Sequence, residues 1–212
     1  MAEVAKKGAS RLRLFRRREP RAEVPFVVVG TGPAGVACAR QLADIGERPV
    51  VLIGEEPGRP YNRVQLTNVL AGEATAADIE EPLDDGDDSL LSLHTGRVVV
   101  SIDRDACTVT DSAGTVQPYH RLILATGSRA FVPPIRGADR PDVFVFRTAE
   151  DVERMTAWYG KAFRAVVVGG GVLGVEAAWA LQRNGGEVTV VHNMGHLMNT
   201  VPVSYTHLRA HE

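Results

Sequence analysis

Three glycines within residues 30–35 ("GTGPAG") have the spacing of a loop that binds a phosphate group. Gly30 permits a tight turn, Gly32 lets the backbone approach a pyrophosphate, and Gly35 lets a helix pack closely against a strand. Glu55 follows Gly35 by 20 residues, where a carboxylate can accept hydrogen bonds from both ribose hydroxyls and repel a 2′-phosphate. This pattern predicts a dinucleotide site. Its candidate residues are Gly30, Gly32, Pro33, Ala34, Gly35 and Glu55.

A second stretch, "GGGVLGVE" at residues 169–176, repeats the same spacing. Two such motifs in one chain are far more specific than one, and they predict two dinucleotides or a duplication. The strand after this motif ends at His192, where NADH sites usually carry an acid and NADPH sites a basic residue. A neutral histidine neither repels a 2′-phosphate nor binds a ribose strongly. The candidate residues of this second site are Gly169, Gly171, Leu173, Gly174, Glu176 and His192.

A third element lies between the two motifs, in "RLILATG" at residues 121–127. The apolar run predicts a buried strand, and Thr126–Gly127 ends it in a tight turn. A glycine at this turn lets the chain pass close to a bound cofactor. We therefore include Ala125, Thr126 and Gly127 among the candidate site residues.

Strands and helices must alternate to position these loops. Short β-branched runs lead into both glycine motifs and predict buried parallel strands. Helices are expected after each motif, the first stopped by Gly46 and the second by Gly185 and Gly186. The strand after the first helix is expected to end at Glu55 and Glu56. Residues 97–124 alternate in polarity and predict a β-hairpin or meander that returns to the sheet.

Composition narrows the class of protein. The chain has 212 residues, of which 44% are apolar, and a net charge of −2, so it lacks a nucleic-acid signature. No apolar run reaches the ~18 residues of a membrane span. Cys38 and Cys107 have no redox or metal spacing and are expected as reduced, buried thiols in a cytoplasmic protein. The six histidines form no metal motif either. Residues 1–23 are basic and predict a disordered extension, or a tether to an acidic partner or membrane surface.

With these motifs, the chain resembles the two-dinucleotide-binding-domain flavoproteins, which are FAD/NAD(P)-dependent pyridine-nucleotide oxidoreductases. The resemblance covers about residues 24–200. It implies that the first motif binds FAD, that the second binds NAD(P)H, and that the A-T-G segment joins the two domains. The implied fold is α/β, a Rossmann-like FAD domain (24–146) with an inserted, incomplete NAD(P)-binding Rossmann domain (147–202).

Residues 60–66, "PYNRVQL", resemble a family segment that folds over the flavin, which implies flavin contacts for Tyr61 and Arg63. The resemblance also implies that Val98 lies against the adenine. No C-x4-C pair is present near this segment, which excludes a glutathione- or lipoamide-type mechanism. Ferredoxin and rubredoxin reductases usually have a lysine a few residues after the arginine, where this chain has Thr67 and Asn68.

The segment is more similar to the N-terminus of the assimilatory nitrite reductase large subunit and of the nitrate reductase electron-transfer subunit. That branch often has an aromatic helix where this chain has an acidic loop at residues 78–96, expected as a solvated turn or a partner-docking surface. The implied activity is hydride transfer from a nicotinamide, with a lean to NADH, through FAD to an electron-acceptor domain or protein. A ferredoxin- or rubredoxin-type reductase and a non-catalytic nucleotide-binding redox module are alternatives. No protein acid, base or nucleophile is assigned a catalytic role.

The last ten residues, "VSYTHLRAHE" (203–212), can be written codon by codon as a transposon-end adapter used in sequencing libraries. We expect them to be non-native read-through that interrupts the second nucleotide domain. We also expect the chain by itself to be inactive and not to retain stoichiometric flavin.

Overall fold

The computed structural model describes residues 24–86, 89–160 and 162–198. The predicted basic extension at 1–23 and the predicted read-through at 203–212 lie outside these residues. Nine strands and four α-helices follow one another along the described chain. Their order is β1 (Phe26–Val29), α1 (Pro33–Ile45), β2 (Val50–Ile53), α2 (Leu66–Leu70), β3 (Leu91–His94), β4 (Val99–Asp103), β5 (Thr108–Asp111), β6 (Val116–Pro118), β7 (Arg121–Leu124), α3 (Ala149–Trp158), β8 (Phe163–Val168), α4 (Val172–Arg183) and β9 (Gly186–Val191).

A four-stranded parallel sheet in the order β3-β2-β1-β7 forms the centre of the first half. Its two middle strands are covered on both faces, which is why they read as continuous apolar runs rather than alternating ones. On one face, Val28 and Leu52 pack against Val36 and Ala39 of α1. Burying each of these large side chains contributes about 1.5–3 kcal/mol.

The other face of this sheet is covered by an antiparallel meander, β4-β5-β6. Val109 of β5 is 1% exposed and packs against Val27, Val29 and Ile53. The predicted hairpin or meander is thus present. The first half therefore has three layers, with α1, the parallel sheet and the meander stacked in that order.

The second half contains β8 and β9 as a parallel pair, with α4 between them in sequence. Its core is continuous with the first half through α2, which packs against both α3 and α4. Leu70, Val152 and Ala180 belong to one buried cluster that includes all three helices. The two halves thus share a hydrophobic core.

Four expectations from the sequence need correction. Strands β7 and β8 were expected to be buried, but Leu124 of β7 and Val166 and Val168 of β8 are exposed. Strand β2 ends at Ile53 rather than at the two glutamates, because Gly54 begins a turn in which its backbone bonds to residues 94 and 97. The segment 78–96 is not entirely a loop, since it contains β3. Cys107 is exposed, at a positive φ of 54° in the turn before β5, while Cys38 is half-buried.

The acidic segment is fixed to the body of the protein. Ile79 and Leu83 are buried, and the carboxylate of Asp85 receives the Arg59 guanidinium at 2.9 Å. Exposed pairs of this kind contribute about 0–1 kcal/mol, so the buried side chains hold the segment. Among the helices that the structure describes, none has the length and apolar character of a membrane span.

Candidate functional site

The sequence provides no capping side chain at the N-termini of α1 and α4, so these helix ends are open. Each helix has a glycine at its N-cap, Gly32 or Gly171, and neither cap makes a side-chain hydrogen bond. By contrast, Thr148 and Asp151 close the N-terminus of α3 with a capping box. The first N–H groups of α1 and α4 are therefore available to an anion, and the helix dipole favours one.

Both glycine loops have the same backbone geometry. Gly30 and Gly169 each have a φ of 115°, a conformation that side chains rarely adopt. A Cβ at Gly35 would overlap the carbonyl oxygen of Gly30, and one at Gly174 would overlap that of Gly169. Each loop consequently places a helix N-terminus directly over the carboxyl end of a strand, as a bound pyrophosphate requires.

The A-T-G segment closes on the first loop. The Ala125 N–H donates to the Val29 carbonyl oxygen at 2.8 Å, and a Cβ at Gly30 would overlap the carbonyl of Ala125. Thr126 is exposed, and Gly127 turns the chain at a φ of 68°. The structure thus brings the predicted A-T-G residues against the first fingerprint.

The predicted ribose acid, Glu55, lies on the surface two residues beyond β2. Residues 96 and 97 run beside it, because the Arg97 N–H donates to the Gly54 carbonyl at 2.8 Å and the Gly96 N–H to the Glu56 carbonyl at 3.1 Å. Val98 follows this segment and is 38% exposed. These positions are compatible with the predicted contacts to a ribose and an adenine.

A cluster of Glu56, Tyr61 and Arg63 lies next to this loop. The Arg63 guanidinium forms an ion pair with the Glu56 carboxylate, which also accepts a hydrogen bond from the Tyr61 hydroxyl. In turn, the Tyr61 oxygen accepts from the Ala149 N–H at 3.0 Å. Burial, followed by the hydrogen bond to Glu56, raises the pKa of Tyr61 to about 12. Tyr61 is therefore a neutral hydrogen-bonding group that ties the first half to α3.

Arg63 also approaches the first phosphate loop. A Cβ at Gly32 would lie 3.9 Å from the Arg63 Nε atom, and Arg63 Nη1 donates to the Arg147 carbonyl at 3.2 Å. Arg63 is thus near the open N-terminus of α1. Glu56, its ion-pair partner, was not among the predicted residues. The adjacent Glu55–Glu56 pair was the available signal, but the spacing of the motif favours the first glutamate.

At the second loop, His192 is held by the backbone of the loop itself. Its Nδ1 atom accepts from the Gly170 N–H at 3.1 Å, which in a neutral ring leaves the proton on Nε2. That Nε2 atom is buried and has no hydrogen-bond partner among the described residues. His192 therefore supports the shape of the loop.

Two further residues predicted for the second site lie at different distances from the N-terminus of α4. Leu173, at the start of α4, is 53% exposed beside the open N-terminus. Glu176 lies further along α4, where its carboxylate accepts from the Thr67 hydroxyl at 3.3 Å. Glu176 therefore contacts the segment that follows Arg63. It links the second candidate site to the first and is not confined to the second phosphate loop.

The structure contains two strand–loop–helix–strand units, and in each the helix N-terminus has no side-chain cap. An A-T-G turn packs against the glycine loop of the first unit. This arrangement defines a protein built to bind two dinucleotides. The chain belongs to the pyridine nucleotide-disulphide oxidoreductase family, whose model matches residues 24–210. This is a family of FAD-dependent oxidoreductases that use NAD(P)H. The predicted α/β fold and the predicted family are both confirmed.

The chain is similar to two proteins of Bacillus subtilis (strain 168). It is 39% identical over 178 residues to nitrite reductase (NAD(P)H), covering 82% of this chain and 22% of that protein. It is 37% identical over 176 residues to the assimilatory nitrate reductase electron transfer subunit, covering 82% of this chain and 23% of that protein. The predicted resemblance to this branch is thereby confirmed.

Among solved structures, the chain is similar to the reductase in the covalent putidaredoxin reductase–putidaredoxin complex. The TM-score is 0.75 at 31% sequence identity, over 86% of this chain and 45% of that one. The chain thus spans about a quarter of the length of the two nitrogen-metabolism relatives and less than half of this reductase.

Proposed function

We propose that this chain is the cofactor-binding part of an FAD-dependent NAD(P)H oxidoreductase that passes electrons to a downstream acceptor in nitrate or nitrite assimilation. FAD occupies the first loop, with its pyrophosphate at the N-terminus of α1. Gly30, Gly32, Gly35 and the A-T-G turn allow its close approach, and Glu55 receives the ribose. When bound, FAD supplies the capacity to take up a hydride and release electrons singly or in pairs.

NAD(P)H occupies the second loop, at the N-terminus of α4. The open geometry around Gly171, where a Cβ would meet no atom of the described residues within 4 Å, supports a ligand at this position. We favour NADH from the resemblance to the nitrite and nitrate reductase branch alone, since a histidine such as His192 at the tip of β9 favours neither nicotinamide. The ratio of kcat/KM for NADH and NADPH tests this choice, and a large preference for NADPH would overturn it.

The observation that carries the assignment to nitrogen assimilation is the similarity to the nitrite reductase and the electron transfer subunit.

A ferredoxin- or rubredoxin-type reductase is the second candidate. The similarity to putidaredoxin reductase, with a TM-score of 0.75, supports it. That relative is joined to a separate protein, putidaredoxin, in the solved complex, whereas the first candidate delivers electrons within a larger nitrogen-metabolism enzyme.

The full-length protein that contains this chain, reconstituted with FAD, distinguishes the candidates. NADH oxidation that depends on nitrite and yields ammonium is expected. Rapid reduction of an added ferredoxin or rubredoxin, with no response to nitrite, would favour the second candidate. A protein that binds FAD and NADH but neither bleaches its flavin nor oxidises NADH would support a non-catalytic module.

A further inference from the structure

Arg147 stands at the junction between the two halves, with its backbone fixed on both sides. Its N–H donates to the Asp151 carboxylate at 3.1 Å, and its carbonyl accepts from Arg63 Nη1 at 3.2 Å. These bonds use only backbone atoms of residue 147. The direction in which its side chain leaves the backbone is therefore set independently of the guanidinium.

The guanidinium of Arg147 reaches the A-T-G turn. Its Nη2 atom lies 3.5 Å from the position that a Cβ would take at Gly127. This turn follows Ala125, whose carbonyl abuts Gly30 of the first phosphate loop. The cation is therefore brought to the same end of the parallel sheet as the first fingerprint.

No carboxylate neutralises this cation among the described residues. Arg147 is half-buried, yet within residues 24–86, 89–160 and 162–198 its side chain takes part in no ion pair and no hydrogen bond. Asp151, four residues further along the chain, instead accepts from the backbone N–H groups of residues 147 and 148. Partial burial of an unpaired charge is costly, so such a group is retained where an anion completes it.

Arg63 is not equivalent to Arg147 in this respect. Both terminal nitrogens of Arg63 are engaged, Nη2 with the Glu56 carboxylate and Nη1 with Tyr61 and the Arg147 carbonyl. Only its Nε faces Gly32. The terminal nitrogens of Arg147 are thus the ones left to form a bidentate bond with a phosphate.

We propose that Arg147 is a binding residue for the pyrophosphate of the dinucleotide at the first loop. The proposal rests on the proposed function in that it takes FAD as this dinucleotide. It adds a ligand from beyond the A-T-G turn, contributed by the segment that leads into the second nucleotide unit. The side chain of Arg147 would then contact the anion, while its backbone N–H bonds to Asp151 at the start of α3.

The test uses the full-length protein stripped of flavin, with Arg147→Met and Arg147→Lys compared with the parent protein. Arg154→Met is the matched control, because Arg154 lies on the exposed side of α3 near Phe144 and loses the same charge. Titration with FAD and, separately, with riboflavin, which lacks the pyrophosphate, is followed by flavin fluorescence at two salt concentrations.

We expect Arg147→Met to weaken FAD binding by about 10- to 100-fold, as for loss of a hydrogen bond to a charged group. The riboflavin affinity of Arg147→Met should equal that of the parent. The FAD affinity of Arg147→Lys should lie between those of the parent and Arg147→Met, and the FAD affinity of Arg154→Met should match that of the parent. Unchanged FAD affinity in Arg147→Met, with a parent protein that binds FAD tightly, would overturn the role of Arg147 alone. A parent protein that binds no FAD would instead overturn the proposed function. Equal losses for FAD and riboflavin would also reject the pyrophosphate contact.

Discussion

At the scale of single residues, the two glycine loops differ in one respect that can be measured. Gly30 and Gly169 have the same φ of 115°, but only Gly30 faces another backbone, the carbonyl of Ala125. A Cβ at Gly169 would meet no atom of the described residues within 4 Å. The pair therefore separates the effect of backbone conformation from that of close approach.

Gly169→Ala is expected to lower the free energy of unfolding by about 1–3 kcal/mol, the cost of a strained φ. Gly30→Ala should lower it by at least a further 1–3 kcal/mol, because the new methyl group overlaps the Ala125 carbonyl. Urea unfolding followed by circular dichroism measures both. Equal losses for the two variants would show that the A-T-G segment moves aside freely.

Tyr61 predicts a dependence of stability on alkaline pH. Its pKa is raised from 10 to about 12, first by burial and then by the Glu56 hydrogen bond. Below pH 10 the hydroxyl is neutral in both states, whereas between about pH 10 and 12 only the unfolded chain releases the proton. Folding is therefore fully favoured by this group below pH 10 and loses that contribution as the pH rises to 12.

Unfolding free energies measured from pH 9 to pH 12 test this effect of Tyr61. The parent chain should lose stability over this interval, and Tyr61→Phe should lose about 1–3 kcal/mol less, because it has no proton to release. At pH 8 the same variant should be less stable than the parent by about 1–2 kcal/mol, since the Ala149 N–H loses its acceptor. Parallel pH profiles for the two proteins would contradict the assignment.

Residue-scale interpretation from sequence succeeded where chemistry is local. The glycines of both fingerprints are fixed by spacing within six residues, and the structure brings them together as predicted. The pairing of Glu56 with Arg63 was not predictable in the same way, because it depends on the path of the loop from residue 54 to residue 63. The same holds for Arg147, which meets Gly127 only after the chain folds back.

At the scale of elements, the start of α3 could have been predicted from a capping motif in the sequence, although the sequence analysis concentrated on the glycine motifs. Thr148 and Asp151 have the T-x-x-D spacing of a capping box, and both reciprocal hydrogen bonds are present. Tyr61 adds a tertiary cap at Ala149. The short helix α2 gave no comparable signal, since its five residues are held by packing against α3 and α4 rather than by intrinsic propensity.

Thr148→Ala is expected to lower the free energy of unfolding by about 0.5–2 kcal/mol through loss of the N-cap. Thr156→Ala is the matched control in the same helix, because the Thr156 hydroxyl bonds only to carbonyls of its own helix. That control should stay within about 0.5 kcal/mol of the parent. Chemical denaturation measures both, and faster amide exchange at residue 151 in the first variant alone would locate the effect. Similar losses in both variants would argue against the cap.

At the scale of the whole molecule, the described surface of the β8–β9 pair has one covered and one open face. Val167 packs into the core shared with α2, while Val166 and Val168, which point the other way, are 65% and 63% exposed. The exposed valines form an apolar strip on a sheet with free edges, an arrangement that promotes association.

Replacing Val166 and Val168 together by threonine should reduce concentration-dependent self-association of the 212-residue chain. The free energy of unfolding should stay within about 0.5 kcal/mol, because threonine keeps the β-branch at exposed positions. Val167→Thr is the control, expected to cost about 1 kcal/mol or more by placing a hydroxyl in the core. Sedimentation velocity and urea unfolding read the two effects separately. Undiminished association of the double variant would assign it to another surface.

The order of strands in the central sheet has a consequence for synthesis on the ribosome. β1 pairs with β2 on one side and with β7 on the other, yet β7 follows β1 by about 90 residues. At a translation rate of about 5–20 residues per second, roughly 5–20 s separate the emergence of the two strands. During that interval the nascent chain presents the apolar β1 with one side unpaired. Folding of the first half therefore cannot be completed before β7 emerges, and slower codons between β1 and β7 would prolong this exposed state.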